Sequence, residues 1–165
     1  MRYCPQCRAE LVDVALDGKI RSCCSAANCD FVHWNNPTPV VACIIEYDDK
    51  ILLARNAKWT HDFYGLITGF LEAGETPEEC ALREMSEEVG LRGDIVEHVG
   101  NYSFFEQNQL LIVYHVKGYG EIQLNEELSA YKLIPHAEVQ PWSRGTGPAL
   151  RDWLEKSAGL EKKTP

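Results

Sequence analysis

Gly69-Phe70-Leu71-Glu72-Ala73-Gly74-Glu75-Thr76-Pro77-Glu78-Glu79-Cys80-Ala81-Leu82-Arg83-Glu84-Met85-Ser86-Glu87-Glu88-Val89-Gly90-Leu91 is the stretch on which the fold turns. Its second half reads as a helix over residues 76–89. Thr76 offers an N-cap, Pro77 fits the first helical position, Glu79 completes a capping box, and Gly90 supplies the stop. Ala81, Met85 and Val89, flanked by Leu82, make an apolar stripe at helical spacing. Glu84, Glu87 and Glu88 stand three and four residues apart, so they share one face beside that stripe. One side of the helix then packs on a sheet while the adjoining edge opens to a cleft.

Like charges one helical turn apart cost ~0.2–0.5 kcal/mol per pair, so three clustered carboxylates call for a cation. Arg83 lies one turn before Glu87, but a single guanidinium cannot neutralise three glutamates. Hard divalent ions, Mg²⁺ or Mn²⁺, prefer such oxygen ligands. On their own the three glutamates also fit a solvated acidic face, and the residues around them decide between the two readings.

Outward from this helix, Leu66-Ile67 reads as a short strand and residues 56–65 as loop. Val40–Tyr47 and Lys50–Ala54, joined at Asp48-Asp49, form a hairpin. Downstream, strands are expected over Ile95–Phe105 and Gln109–Val116, with short additions at Ile122 and Tyr131–Ile134. A closing helix is expected over Pro148–Lys156. Strands interrupted by one central helix and closed by another predict an α+β layer structure, a mixed sheet covered on both faces. Asn125-Glu126-Glu127-Leu128 places further carboxylates after the strands.

Five of the seven cysteines fall within the first 29 residues: Cys4, Cys7, Cys23, Cys24 and Cys29. Cys4-Pro5-Gln6-Cys7 is a metal knuckle, and Cys24 with Cys29 is the favoured second pair, although its gap is wider than usual and Cys23 is an alternative to Cys24. Four thiolates make a closed tetrahedral site for structural Zn²⁺, and residues 1–35 have too few apolar side chains to fold without one. Asn35-Asn36-Pro37-Thr38-Pro39 reads as a linker. The expected organisation is a zinc ribbon over 1–35, a catalytic domain over 36–158 and a flexible tail over 159–165. Cys43 and Cys80 fall on apolar faces and read as core residues.

The net charge of −9 argues against a nucleic-acid or membrane-surface binder, which needs a basic footprint. A phosphorylated small molecule remains compatible once bound cations invert the local field. With no apolar run long enough to span a bilayer and no apolar leader at Met1-Arg2-Tyr3, a cytoplasmic protein with reduced cysteines is expected. Oligomeric state, including a homodimer, is left open.

Read from Gly69, the order Gly, five residues, Glu75, seven residues, Arg83-Glu84-Met85-Ser86-Glu87-Glu88-Val89-Gly90-Leu91 resembles the Nudix box at every defined position. The resemblance implies an α/β/α sandwich around a mixed sheet and hydrolysis of a nucleoside diphosphate linked to another group. It implies that Glu84, Glu87 and Glu88 ligate divalent metal, with Glu87 and Glu88 as candidate general bases. Arg83 and Glu75 become the ion pair holding the loop to the helix. The Thr68 carbonyl and Glu127, favoured over Glu126, become further ligands.

A ribbon ahead of such a domain is similar to the NAD pyrophosphatase group and to related ADP-ribose and FAD hydrolases. The post-box signature of the NAD enzymes is absent, however: its place holds Asn101-Tyr102-Ser103-Phe104-Phe105-Glu106-Gln107-Asn108-Gln109. Gln140-Pro141-Trp142 resembles part of it at a displaced position. ADP-ribose or FAD is therefore the expected substrate type, NAD(H) the alternative, and Tyr102, Phe104 and Phe105 the expected stacking residues. A reading of another class, a non-catalytic nucleotide sensor, sits poorly with an intact glutamate set.

Overall fold

The computed structural model describes residues 1–161, and the chain divides into two compact units, Met1–Asn36 and Pro37–Pro165. In the first, β1 (Leu11–Leu16), β2 (Lys19–Cys24) and β3 (Val32–His33) form an antiparallel sheet in that order. Asp17 and Gly18 link β1 to β2 with φ of 51° and 75°, the paired positive values that suit the strand twist of a two-residue hairpin. Cys4 is the one buried residue of this unit, while Val12, Val14, Ile20 and Trp34 are exposed. An apolar core does not hold it.

The second unit is built on β4 (Thr38–Tyr47). This strand runs parallel to β8 (Gln109–Tyr119) on one side. On its other side it pairs antiparallel with β5 (Lys50–Asn56) through its C-terminal half and with β6 (Ile67–Phe70) through its N-terminal half. β7 (Arg92–Phe104) and β9 (Leu128–Pro135) complete the mixed sheet in the order β7-β8-β4-β5-β9. Two helices cover it, α1 (Pro77–Val89) and α2 (Gly147–Glu161).

The unbroken apolar run of β4 follows from its central place. Val41, Cys43 and Ile45 join Ala81, Met85 and Val89 of α1 in one core. Val40, Ala42 and Ile44 join Ala149, Leu150 and Trp153 of α2 in another. Successive side chains point to opposite faces, so a strand covered on both sides must be apolar at every position. Ile44 and Ile45 are both fully buried, each worth roughly 1.5–3 kcal/mol of burial. The expected α/β/α sandwich is the observed one.

Helix α1 starts as its sequence indicates. The Thr76 hydroxyl accepts from the Glu79 amide at 3.2 Å, the Glu79 carboxylate accepts from the Thr76 amide at 2.7 Å, and Gly90 closes the helix in the left-handed conformation. Several boundaries differ from expectation. β6 runs on to Phe70, β8 to Tyr119, and β7 begins at Arg92. Ile122 is not in a strand. Its neighbours cap the helix instead, the Gln123 amide donating to the Val89 carbonyl at 2.9 Å and the Asn125 amide to the Glu88 carbonyl at 3.0 Å. Those carbonyls belong to the last turn, which lacks partners inside the helix. Helix α2 reaches Glu161, so 159–161 are helical, and the rest of the expected tail, 162–165, lies outside the described residues. No helix among the described residues is long and apolar enough to cross a membrane.

Candidate active site and metal centres

The β6–α1 loop is tied to the helix through Arg83. Its guanidinium donates two hydrogen bonds to Glu75, from Nε at 3.0 Å and from Nη2 at 2.8 Å. It also bonds Glu84 at 2.6 Å, Glu87 at 3.2 Å and the Phe70 carbonyl at 3.2 Å. This fork holds the Glu75 carboxyl far below its ordinary range, at about 2, assisted by the Glu72 amide. Gly69, near the end of β6, brings the strand backbone directly over Glu84, where a Cβ would overlap the Glu84 carboxyl group. A side chain at this position would therefore displace the Glu84 carboxylate.

Glu84, Glu87 and Glu88 line one cleft of about 380 Å³, and Glu127 lines it with them. The segment that caps α1 delivers Glu127: its amide donates to the Asn125 side chain at 3.0 Å, and its carbonyl accepts from the Ala57 amide at 2.7 Å. Burial and then the charges of Glu84, Glu127 and Glu87 push the Glu88 carboxyl up to about 7. Burial likewise raises Glu84, partly offset by Arg83. These are anionic groups crowded with one cation among them, an oxygen-only donor set that fits a hard divalent ion. Thr68 and Gln109 line this cleft and also a second, larger cavity beside it.

The adjoining cavity, about 600 Å³, is walled by Trp59, Phe63, Phe104, Trp142 and Arg144. Trp59 and Trp142 each lie 5.2 Å from Phe63, ring centre to ring centre. Of the three aromatics expected to face substrate, only Phe104 borders this space. Tyr102 packs against the α2-side core and donates to Asp152 at 2.9 Å. Phe105 sits on the turn after β7, 86% exposed, and lines neither cavity. Trp59-Thr60-His61-Asp62-Phe63 carries no helix or strand periodicity, and the aromatic residues in an otherwise polar loop are the one signal that marks it.

In the N-terminal unit the sulfurs of Cys4, Cys7, Cys24 and Cys29 all lie within 4.8 Å of one another. Cys4 and Cys29 are 3.6 Å apart, Cys7 and Cys24 3.3 Å. A tetrahedron with Zn–S of ~2.3 Å has edges of about 3.8 Å, so the four thiols fit zinc. Cys23 is excluded from the group because adjacent strand residues face opposite ways; it sits across from Val12 and Val32 instead. Burial disfavours the Cys4 thiolate, but amide hydrogen bonds from Cys7 and Gln6 outweigh this and lower its pKa to about 7. Cys43 and Cys80 are buried core thiols, and burial raises the pKa of both.

A family model described as the NUDIX domain matches residues 36–155. A curated relative, the NAD-capped RNA hydrolase NudC of Vibrio parahaemolyticus, is 27% identical over 160 residues, 95% of this chain and 59% of that protein. The chain thus spans little more than half the length of this relative. The crystal structure of a NUDIX hydrolase from Nitrosomonas europaea superposes with a TM-score of 0.81 at 27% identity, covering 96% of this chain and 93% of that one. An ADP-ribose pyrophosphatase from Streptococcus suis shares the fold, with a TM-score of 0.61 at 21% identity over 74% of this chain and 92% of that one.

Proposed function

The chain belongs to the Nudix family, and from that premise we propose that it hydrolyses the diphosphate bond of a nucleoside diphosphate derivative. The observation that carries this reading is the carboxylate cleft: Glu84, Glu87, Glu88 and Glu127 around one space, with Arg83, shared among Glu75, Glu84 and Glu87, the one cation lining it. Glu84, Glu87, Glu88 and Glu127, with the Thr68 carbonyl, would hold Mg²⁺ or Mn²⁺. A divalent ion there supplies positive charge to phosphoryl oxygens and lowers the pKa of the attacking water. Arg83 and Glu75 fix the loop so that the glutamates keep their positions. Glu87 and Glu88 are the candidates for receiving the water's proton, and the hydrophobic packing of α1 keeps both on a rigid element. Zn²⁺ held by Cys4, Cys7, Cys24 and Cys29 would be structural, since four protein ligands leave no open position.

The substrate we favour is ADP-ribose or FAD, because 101–109 does not carry the nicotinamide-dinucleotide signature. NAD(H), free or as an RNA cap, is the second reading, supported by the name of the Vibrio relative. The test is a competition assay with ADP-ribose, FAD, NADH and nucleoside triphosphates in Mg²⁺ or Mn²⁺, resolved by product chromatography. ADP-ribose or FAD should show the highest kcat/KM, yielding AMP and a second phosphate monoester. A clear preference for NADH would move the protein to the second reading, and no cleavage of any diphosphate would overturn the hydrolase reading itself.

A further inference from the structure

Two cavities meet along Val40, Thr68 and Gln109: the carboxylate cleft and the aromatic-walled space next to it. At about 600 Å³ the second is far larger than a diphosphate needs and falls within the usual size of a small-molecule pocket. Its walls come from two separate loops. Trp59 and Phe63 belong to the β5–β6 connection, and Trp142 and Arg144 to the segment before α2.

Packing holds these rings in place. Phe63 meets Trp142 edge-on at 85° and Trp59 at 50°, so Phe63 braces the two indoles. A Cβ on Gly65 would lie 3.3 Å from the Phe63 ring and 3.5 Å from the Trp59 ring, which places the loop backbone directly under both. Trp59, Phe63, Phe104 and Trp142 are each half-buried and line the cavity, so part of each side chain stays open to it. Arg144 is exposed, is the one guanidinium on this wall, and has no ion-pair partner among the described residues. In a protein of net charge −9 an unpaired cation beside aromatic faces is complementary to a nucleotide, which offers a planar ring and anionic oxygens.

We infer that this cavity is the nucleobase subsite, with Trp59 and Trp142 stacking on the adenine ring and Arg144 contacting the same nucleotide, while the adjoining cleft receives the diphosphate. The inference rests on the diphosphate-hydrolase reading for the identity of the ligand, and it assigns selectivity to residues outside the helix. A catalytic helix that meets only phosphate cannot discriminate among nucleotides; a ring-binding wall can.

The test measures AMP and ribose 5-phosphate binding to the full chain by calorimetry, together with steady-state cleavage of ADP-ribose. Trp59→Leu and Trp142→Leu should each weaken AMP about tenfold or more and raise KM similarly, with kcat within about threefold of the wild type. Trp142→Phe should retain binding to within about threefold, because a ring remains. Ribose 5-phosphate should bind weakly and equally to all variants. Arg144→Gln, on an exposed side chain, gives a variant that does not disturb the aromatic packing and should also weaken AMP. Leucine variants that bind AMP and turn over ADP-ribose as the wild type does would overturn the subsite while leaving the hydrolase reading intact. Ring-dependent AMP binding with no diphosphate cleavage would do the reverse.

Discussion

Two clusters of candidate metal ligands occupy this chain, four thiols in the N-terminal unit and four carboxylates on the sheet domain, and their surroundings differ sharply. Around the thiols there is almost nothing: Cys4 is the one buried residue of its unit. Around the carboxylates, α1 is anchored by Cys80, Ala81, Met85 and Val89, all fully buried. The two clusters therefore have opposite consequences. On the proposed reading, loss of metal from the thiols would remove what holds the unit together, whereas loss of metal from the carboxylates would remove chemistry and leave the fold. The difference separates the proposed structural site from the proposed catalytic one without reference to the ion.

The largest expected separation is in hydrogen exchange after chelation. Amides of 1–36 should exchange as an unfolded segment does, while those of β4 and α1 stay protected. Elemental analysis of untreated protein should give one zinc per chain, lost on joint Cys4→Ser and Cys7→Ser substitution. A protected, metal-free ribbon would remove the contrast. Next in size, Met85→Ala should destabilise the sheet domain by ~2–5 kcal/mol in denaturant unfolding and leave zinc content unchanged. Gly69→Ala should cost about 1–3 kcal/mol through forced overlap and lower turnover as well, since the overlap falls on Glu84. Unaltered kinetics would show that the β6 backbone need not lie against that carboxylate.

The smallest effect concerns pH. Glu75 is lowered from 4.5 to about 2 by Arg83. Its contribution to stability is therefore complete above about pH 4.5 and is lost as pH falls from there toward 2. Unfolding midpoints across that window should fall less steeply for Glu75→Gln than for the wild type, and identical slopes would contradict the pairing.

Much of the layer structure was legible because α1 carries complete local signals: a capping box, an apolar stripe and a glycine stop. The apolar run of β4 likewise reads as a strand without its partners. Ile122 reads as a strand from sequence because one apolar residue among polar neighbours does not disclose that the amides just after it, of Gln123 and Asn125, cap a helix more than 30 residues earlier. Cys24 could not be separated from Cys23 until the strand register set which one faces the other thiols. The cavity walls were the least legible part. Tyr102 and Phe104 share the α2-side face of β7, yet only Phe104, nearer the strand end, also borders the cavity, while Phe105 on the following turn faces solvent. Trp59 and Trp142 meet at Phe63 only through the tertiary fold, and no local pattern joins them.

The most direct test of the central claim, that the carboxylate cleft performs chemistry on a scaffold that does not depend on it, is the turnover of Glu88→Gln. With ADP-ribose and Mg²⁺, kcat should fall at least ~10²-fold, the usual loss when a charge-stabilising or proton-accepting group is removed. Its unfolding midpoint without added divalent ions should be no lower than that of the wild type, because one of the crowded charges is gone. Wild-type turnover by Glu88→Gln would contradict the assignment.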